Sequence, residues 1–534
     1  MRHDVLREPN RPAGPQPKLI TDWVDANAKR DPHGTALALP DIEVSHADFC
    51  AATLLAARRL RAAGVRAGEH VGLLLSTEVL DYLAYSYGAA RLGAVAVCIN
   101  ARFKVRELKF AVENSGLKLL LTSRWFAPII EASDLSDTCR TVDITVGGRF
   151  RDGAIDVSAA KVHEQTAKVR GEHPVRVIYT SGGTSMPKGC LHTHDALIAQ
   201  GEAVATALSL TPLDRFWTPL PMFHTGGWTP FLATQARGAA LHHCLRFEAS
   251  PALRQIVDQR CTVLFPGFET IWLAVLDDPN FSVEALSAAR LITIVGAPER
   301  LRVMQSRCPD VTQISNYGST ECGGFLCLGD SSDSFDSRMT TAGRLVDGME
   351  ARIIDPASGA DLPAGNEGEL LVRGTALFSE YFGDPAATAD VIDGGGWFHT
   401  GDLLTRGEDG GYRYVGRVKD MLKVGGENVA AAEIEDHLLT HPAVFLVAVV
   451  SAPDTKYGEV PAAYVQLKPG AQATENELVL HCTGTIASFK VPRYVRFVDE
   501  WPMSGTTINK VQLRERIAAD LIRADAEGLS VQNG

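Results

Sequence analysis

The chain has 534 residues, 45% of them apolar and 22% charged, a globular composition in a chain too long for one ordinary domain. Its 52 basic and 64 acidic residues leave a net charge of −12, which excludes a general nucleic-acid binder, because such a protein needs a basic face. Ten cysteines are scattered with no CxxC pair, which speaks against a zinc ribbon or a thioredoxin-type site and for reduced, buried thiols.

Residues 1–18 are polar and proline-rich and read as a flexible arm. They carry no apolar stretch of the signal-peptide kind, and the chain has no run of 18 apolar residues. No membrane span and a cytoplasmic location are therefore expected. Residues 51–63 read as an amphipathic helix closed by Gly64. A strand is expected over 69–74, a helix over 78–92 ended by Gly93, and a buried strand over 94–98. This rhythm predicts α/β layering with parallel sheets. Residues 175–179 form the next strand and run into a loop rich in Gly, Ser and Thr. Residues 217–227 read as a loop, and 263–265 and 291–295 as short apolar strands. After about Ala342 short strands with glycine turns suggest a small β-rich subdomain. A helix at 431–439, strands at 444–450 and 462–467 and a helix at 475–485 complete a compact α+β unit. The expected architecture is α/β: a large region over 19–418 of layered subdomains, followed by a small α+β domain over 419–534.

The segment YTSGGTSMPKG, Tyr179 to Gly189, carries the most chemistry. Its glycines let backbone N–H groups turn inward around an anion, its hydroxyls add donors, and Lys188 adds charge. It is not a Walker A loop, because the lysine precedes its glycine.

This loop resembles the phosphate loop of the adenylate-forming superfamily, which includes the acyl-CoA synthetases and has a form close to YTSGTTGxPKG. Gly183 stands where Thr is usual, and Ser185 where Gly is usual. The resemblance extends in order over residues 20–515. It implies that Thr180, Ser181, Gly182, Gly183 and Thr184 wrap the phosphates of ATP, with Lys188 holding pyrophosphate. VGAP, with Gly296, Ala297 and Pro298, is similar to the turn that passes the adenine edge. NYGSTE resembles the motif in which Asn316, Tyr317 and Gly318 meet the nucleotide, Thr320 donates to a phosphate and Glu321 holds Mg²⁺; a hard cation on phosphates suits a carboxylate. WFHTGD and YVGRVKD give Asp402 the ribose hydroxyls, Arg417 the ribose or phosphate, and Lys419 the hinge of a mobile C-terminal domain. Gly425 and Gly426 resemble the loop that reaches the thiol tunnel, followed by AAAEIE without its usual Pro. SFKVPR suggests Lys490 or Arg493 for the nucleotide part of coenzyme A. Lys510, preceded by Asn509 where Gly is usual, matches the lysine that performs adenylation. PMFHTGGW is similar to the segment that lines the acyl tunnel, giving His224 and Trp228, with Phe268, Gly323 and Gly324 continuing the wall.

The resemblance implies an acid–CoA ligase using ATP, Mg²⁺ and coenzyme A, and a small-molecule carboxylic acid. Charge neutralisation and positioning would carry the first step. No charged residue stands at the aligned acyl positions, so a fatty, aryl or polycyclic acid is expected ahead of a dicarboxylate or an amino acid. The sequence admits a homodimer without requiring it. Two other readings stand beside this one: an adenylating enzyme that loads a carrier protein, and an inactive nucleotide-binding homologue, which the altered segment before Lys510 would suit.

Overall fold

The computed structural model describes residues 17–145, 157–180, 186–424, 427–504 and 507–526. The chain divides into two compact units. One takes the residues up to Thr180 together with Pro187–Ala351 and Val372–Phe398; the other takes Arg352–Leu371 and everything from His399. Lys419 thus lies inside the second unit.

The first unit is built on two large sheets. One has seven strands among the described residues, in the spatial order Glu380–Tyr381, Lys188–Thr193, Pro174–Thr180, Val95–Cys98, His70–Leu74, Leu119–Thr122 and Arg140–Asp143. The last five are mutually parallel. Parallel strands are covered on both faces, which is why Val95–Cys98 and Leu119–Thr122 are buried at every position and read as unbroken apolar runs. The helix Val79–Leu92 crosses between two of them. It ends at Gly93, whose φ of 70° is left-handed and suits glycine as a cap.

The other sheet has nine strands among the described residues. Its order is Arg344–Leu345, Gly324–Leu328, Thr312–Ser319, Leu291–Val295, Val263–Phe268, Arg215–Thr218, Ala240–His243, Thr35–Ala38 and Glu43–Ser45. The strands from Thr312–Ser319 to Thr35–Ala38 are parallel. Under one face, Trp217, Leu264, Trp272, Ile292 and Met304 form a closed apolar cluster. In parallel α/β sheets ligands gather at the carboxyl ends of the strands. Here three adjacent strands end in Phe268, in the VGAP turn and in the YGSTE segment.

Most residues of a four-stranded sheet, in the order Met349–Ile354, Glu367–Gly374, Phe398–Arg406 and Tyr412–Arg417, belong to the second unit. The second unit also holds a sheet of five strands among the described residues, in which Val444–Asp454 and Gly458–Leu467 pair antiparallel. The helix Ala431–Leu439 packs on that sheet through Ala431, Ile434 and Leu438.

The α/β layering and the β-rich insertion are as expected from the sequence. The stretch 217–227 differs from the expected loop. Arg215–Thr218 is a strand, and a helix, Thr225–Arg237, begins before the stretch ends. Gly226 and Gly227 let this helix start hard against Leu220 and the Pro221 carbonyl, where a Cβ would collide. The helix forms because it is buried along its length, and burial outweighs the poor propensity of Gly and Pro. None of the ten cysteines is bridged, and nine are buried. Among the described residues no helix is long and apolar enough to cross a membrane.

Candidate active site

The Pro174–Thr180 strand delivers the glycine-rich loop, and the chain returns antiparallel as Lys188–Thr193, with Thr180 opposite Lys188. The Thr180 hydroxyl donates to the Lys188 carbonyl at 3.3 Å, pinning the base of the loop. Ser181, Gly182, Gly183 and Thr184 lie outside the described residues. The Lys188 ammonium sits 4.7 Å from the centre of the Tyr381 ring, a cation–π contact. The Tyr381 hydroxyl donates to Glu321 Oε1 at 2.8 Å, and the Phe378 N–H donates to the Glu321 carbonyl at 2.7 Å. Burial, with the Glu321 charge beside it, pushes the acidity of Tyr381 far out of the physiological range, so it stays a donor. Lys188, Tyr381 and Glu321 therefore form one continuous contact.

Glu321 is the carboxylate expected to hold Mg²⁺. Its Oε2 has no hydrogen-bond partner among the described residues, while Oε1 is oriented by Tyr381. No group of three His, Cys, Asp or Glu side chains that could cage a metal occurs among the described residues. One oriented carboxylate suits Mg²⁺ of the kind that keeps waters and takes its other ligands from substrate phosphates. Tyr381 was not legible as part of this site, because EYFGD carries no motif and its contact is made across 60 residues. Tyr381→Phe should raise the Mg²⁺ concentration for half-maximal activity about 10-fold, as loss of a ligand-orienting partner does, with little change in fold. A magnesium titration of ATP–pyrophosphate exchange checks this, and an unshifted curve counts against the contact.

The turn after Glu321 is closed by glycine. Gly323 and Gly324 have φ of 74° and 127°. The Thr229 hydroxyl donates to the Gly323 carbonyl at 2.9 Å, and any Cβ on Gly324 would strike that hydroxyl. Gly318 packs on the Gly324 backbone with no room for a side chain. Buried Asn316 donates to the Thr293 hydroxyl at 2.9 Å, tying the YGSTE strand to the VGAP strand. The VGAP turn is held in turn by Glu269, which accepts from the Ala297 N–H at 2.7 Å and pairs with Arg300 at 2.9 Å. Pro298 opens the next helix at a position where no N–H is needed. Glu269 is a second supporting residue that no motif announced.

His224 precedes the Thr225–Arg237 helix and is half-buried, its ring edge-on to Phe223. Burial first, and the Arg102 charge second, push its imidazole down to about 4, so it is neutral near pH 7. Trp228 is fully buried, whereas Phe268 is 47% exposed at the end of its strand. One charged residue does stand beside Trp228: the Arg176 guanidinium lies 4.5 Å from the centre of its ring. Arg176 is not among the residues that the motifs aligned with the acyl wall. An arginine inside VRVIYT reads as an ordinary strand residue, and only the packing reveals its neighbour.

In the second unit Asp402 is buried and its Oδ1 lies 2.8 Å from Arg417 Nε, directly opposite it on the paired strand. The Asp402 N–H donates to the Thr400 hydroxyl at 3.1 Å, and the Gly401 N–H to Glu369 at 3.2 Å, so the turn is fixed on both sides. Lys419 occupies the short turn Val418–Asp420. Burial and the Arg417 charge hold its ammonium below the usual lysine range. Lys510 opens the helix Lys510–Ala526, and its ammonium meets Glu435 at 2.7 Å and Asp420 at 4.0 Å. Arg514 shares Asp420 at 2.5 Å. Lys490 pairs with Glu433 at 2.6 Å, and Arg493 with Asp454 at 3.6 Å. Gly425 and Gly426 lie outside the described residues.

Residues 24–382 match the AMP-binding enzyme family, and residues 433–507 match the AMP-binding enzyme C-terminal domain. The chain belongs to the AMP-binding enzyme family. This is the adenylate-forming superfamily that the motifs resembled. The AMP-binding enzyme is 32% identical over 497 residues to the long-chain-fatty-acid–CoA ligase FadD13 of Mycobacterium tuberculosis, covering 90% of this chain and 94% of that one. It is 30% identical over 501 residues to a feruloyl-CoA synthase of Amycolatopsis, covering 93% and 99%. Among solved structures it resembles the anthranilate CoA ligase AuaEII in complex with anthranoyl-AMP, with a TM-score of 0.84, 27% identity, and coverage of 95% and 99%.

Proposed function

We propose that this AMP-binding enzyme is an ATP-dependent acid–CoA ligase. The carboxylate of the acid attacks the α-phosphate of ATP and pyrophosphate leaves; the thiol of coenzyme A then attacks the acyl carbonyl and AMP leaves. The observation that carries this reading is the Lys188–Tyr381–Glu321 contact beside the loop strand: a cation for the leaving phosphates and an oriented carboxylate. Glu321 would hold Mg²⁺, which would supply charge neutralisation for those phosphates. Thr180 and Thr320 border the same phosphates. Asp402, with Arg417 against it, takes the ribose. Lys510 bridges the carboxylate and the α-phosphate, and Lys490 and Arg493 serve the nucleotide part of coenzyme A. The acid has an apolar body, ring or chain, set against His224 and Trp228.

The reading is tested by AMP and pyrophosphate release with ATP, Mg²⁺ and a panel of aliphatic and aromatic acids, each with and without coenzyme A. Turnover that needs one acid class and coenzyme A supports it. Adenylate formed without any response to coenzyme A points instead to a carrier-protein acceptor, and no turnover with any acid points to an inactive homologue.

Lys419 is proposed as the hinge between the two half-reactions. Proline at 419 would lock φ near −65° and restrict Val418. Lys419→Pro is expected to slow thioester formation about 10-fold more than adenylate formation. Equal rates in both half-reactions would remove Lys419 from that role.

A further inference from the structure

Arg176 is 2% exposed, in the middle of the parallel strand Pro174–Thr180. Its Nε, Nη1 and Nη2 find no hydrogen-bond partner among the described residues, and no Asp or Glu there pairs with it. Burial pushes it down only to about 10, so it keeps its charge at neutral pH. A buried guanidinium without a counter-ion is among the least favourable arrangements a core can hold, and it persists where something else supplies the anion.

Its surroundings are polar at the tips and aromatic in the body. The guanidinium lies on the Trp228 indole at 4.5 Å. Tyr82 and Tyr87 flank the same indole, with ring centres 6.3 and 6.2 Å away, and the buried Tyr87 hydroxyl has no partner among the described residues. His192 stands opposite Arg176 on the neighbouring strand. Burial first, and the Arg176 charge second, push its imidazole down to about 3, so it is neutral, and neither ring nitrogen has a hydrogen-bond partner among the described residues. The next residue after Trp228, Thr229, donates to the Gly323 carbonyl. The cluster thus abuts the Thr320–Gly323 turn. Along the strand, Arg176 stands four residues before Thr180, or about 13 Å from the phosphate-loop end.

We propose that Arg176, with Tyr87, His192 and Trp228, forms an anion site for a second carboxylate on the acid substrate, at the end remote from the carboxylate that is adenylated. This rests on the acid–CoA ligase reading and narrows its substrate class to an acid with an apolar body between two anionic ends. A planar carboxylate fits a guanidinium fork in a bidentate pair, and the Tyr87 hydroxyl adds a donor. The distal carboxylate undergoes no chemistry; it is bound and sets the length of the acid.

The test compares linear dicarboxylic acids of four to twelve carbons and benzene dicarboxylic acids with monocarboxylic acids of matched length, in wild type, Arg176→Met and Arg176→Lys. Adenylation and thioester formation are read by AMP release, and binding by the melting temperature with AMP and each acid. Wild type is expected to prefer one length of diacid. Arg176→Met should lose at least about 100-fold in kcat/KM for that diacid while its monoacid rate is kept or raised. Arg176→Lys should recover part of the loss. Because Met removes an uncompensated charge, the ligand-free melting temperature should not fall. Matched use of monoacids and diacids in wild type, unchanged by Arg176→Met, overturns the proposal while leaving the ligase reading intact. A melting shift from chloride or inorganic phosphate that depends on Arg176, without any diacid preference, assigns the site to a free anion and also overturns it. If no acid releases AMP, the ligase reading fails, and the diacid melting shift alone decides: present in wild type and lost in Arg176→Met it upholds the site, absent in both it removes it.

Discussion

Lys510→Ala is expected to cut acyl-adenylate formation by about 10²–10³, the usual cost of removing one charge stabiliser from a developing oxyanion. The first step brings a carboxylate onto a triphosphate, and these repel each other, so a cation between them carries much of the catalysis. Lys510 is well placed to be held ready. It is the first residue of its helix, the Asn509 N–H before it donates to the Pro502 carbonyl at 2.7 Å, and its ammonium is paired with Glu435 and Asp420. Glu435 also accepts from the Val449 N–H at 2.6 Å, so its carboxylate keeps a partner when the lysine is removed and the unit should still fold. ATP–pyrophosphate exchange measures the loss. Thioester formation from a supplied acyl-adenylate should be nearly unchanged, and an equal fall in both would take Lys510 out of the first step.

Glu321→Gln is the second large effect. The amide keeps an oxygen for Tyr381 and the size of the side chain, but it removes the charge that a hard cation requires. The Mg²⁺ concentration for half-maximal pyrophosphate exchange should rise on the order of 100-fold, beyond the change expected for Tyr381→Phe. A magnesium titration of the two variants side by side reads this order directly. An unchanged requirement in Glu321→Gln would place the metal elsewhere.

Local signals in the sequence were reliable where one stretch of chain makes its own structure. The helix Ala431–Leu439 and the strand Leu291–Val295 have the bounds that periodicity and apolar runs indicate. Gly93 ends its helix where a left-handed cap demands it. The 475–485 helix stops earlier, at Cys482, since Thr483 is extended. The glycine-rich loop and the VGAP turn each stand at the carboxyl end of a strand, and YGSTE completes a third. Tyr381, Glu269 and Arg176 stayed invisible for one shared reason. Tyr381 acts on Glu321 across 60 residues, Glu269 on Ala297 across 28, and Arg176 has its meaning only against Trp228 from another element. Contacts of that kind follow from sheet order, which a single sequence does not display.

The strand order also sets a timetable for synthesis. Thr35–Ala38 pairs with Ala240–His243, so its partner emerges about 200 residues later. At roughly 5–20 residues per second, this early strand waits on the order of 10–40 s with an open edge. Five strands of the seven-stranded sheet, from His70 to Thr180, are complete before that partner is made. The nine-stranded sheet is therefore the late assembly in the first unit. Its first-made strands are short, four and three residues, which leaves little edge for another chain to join in the meantime.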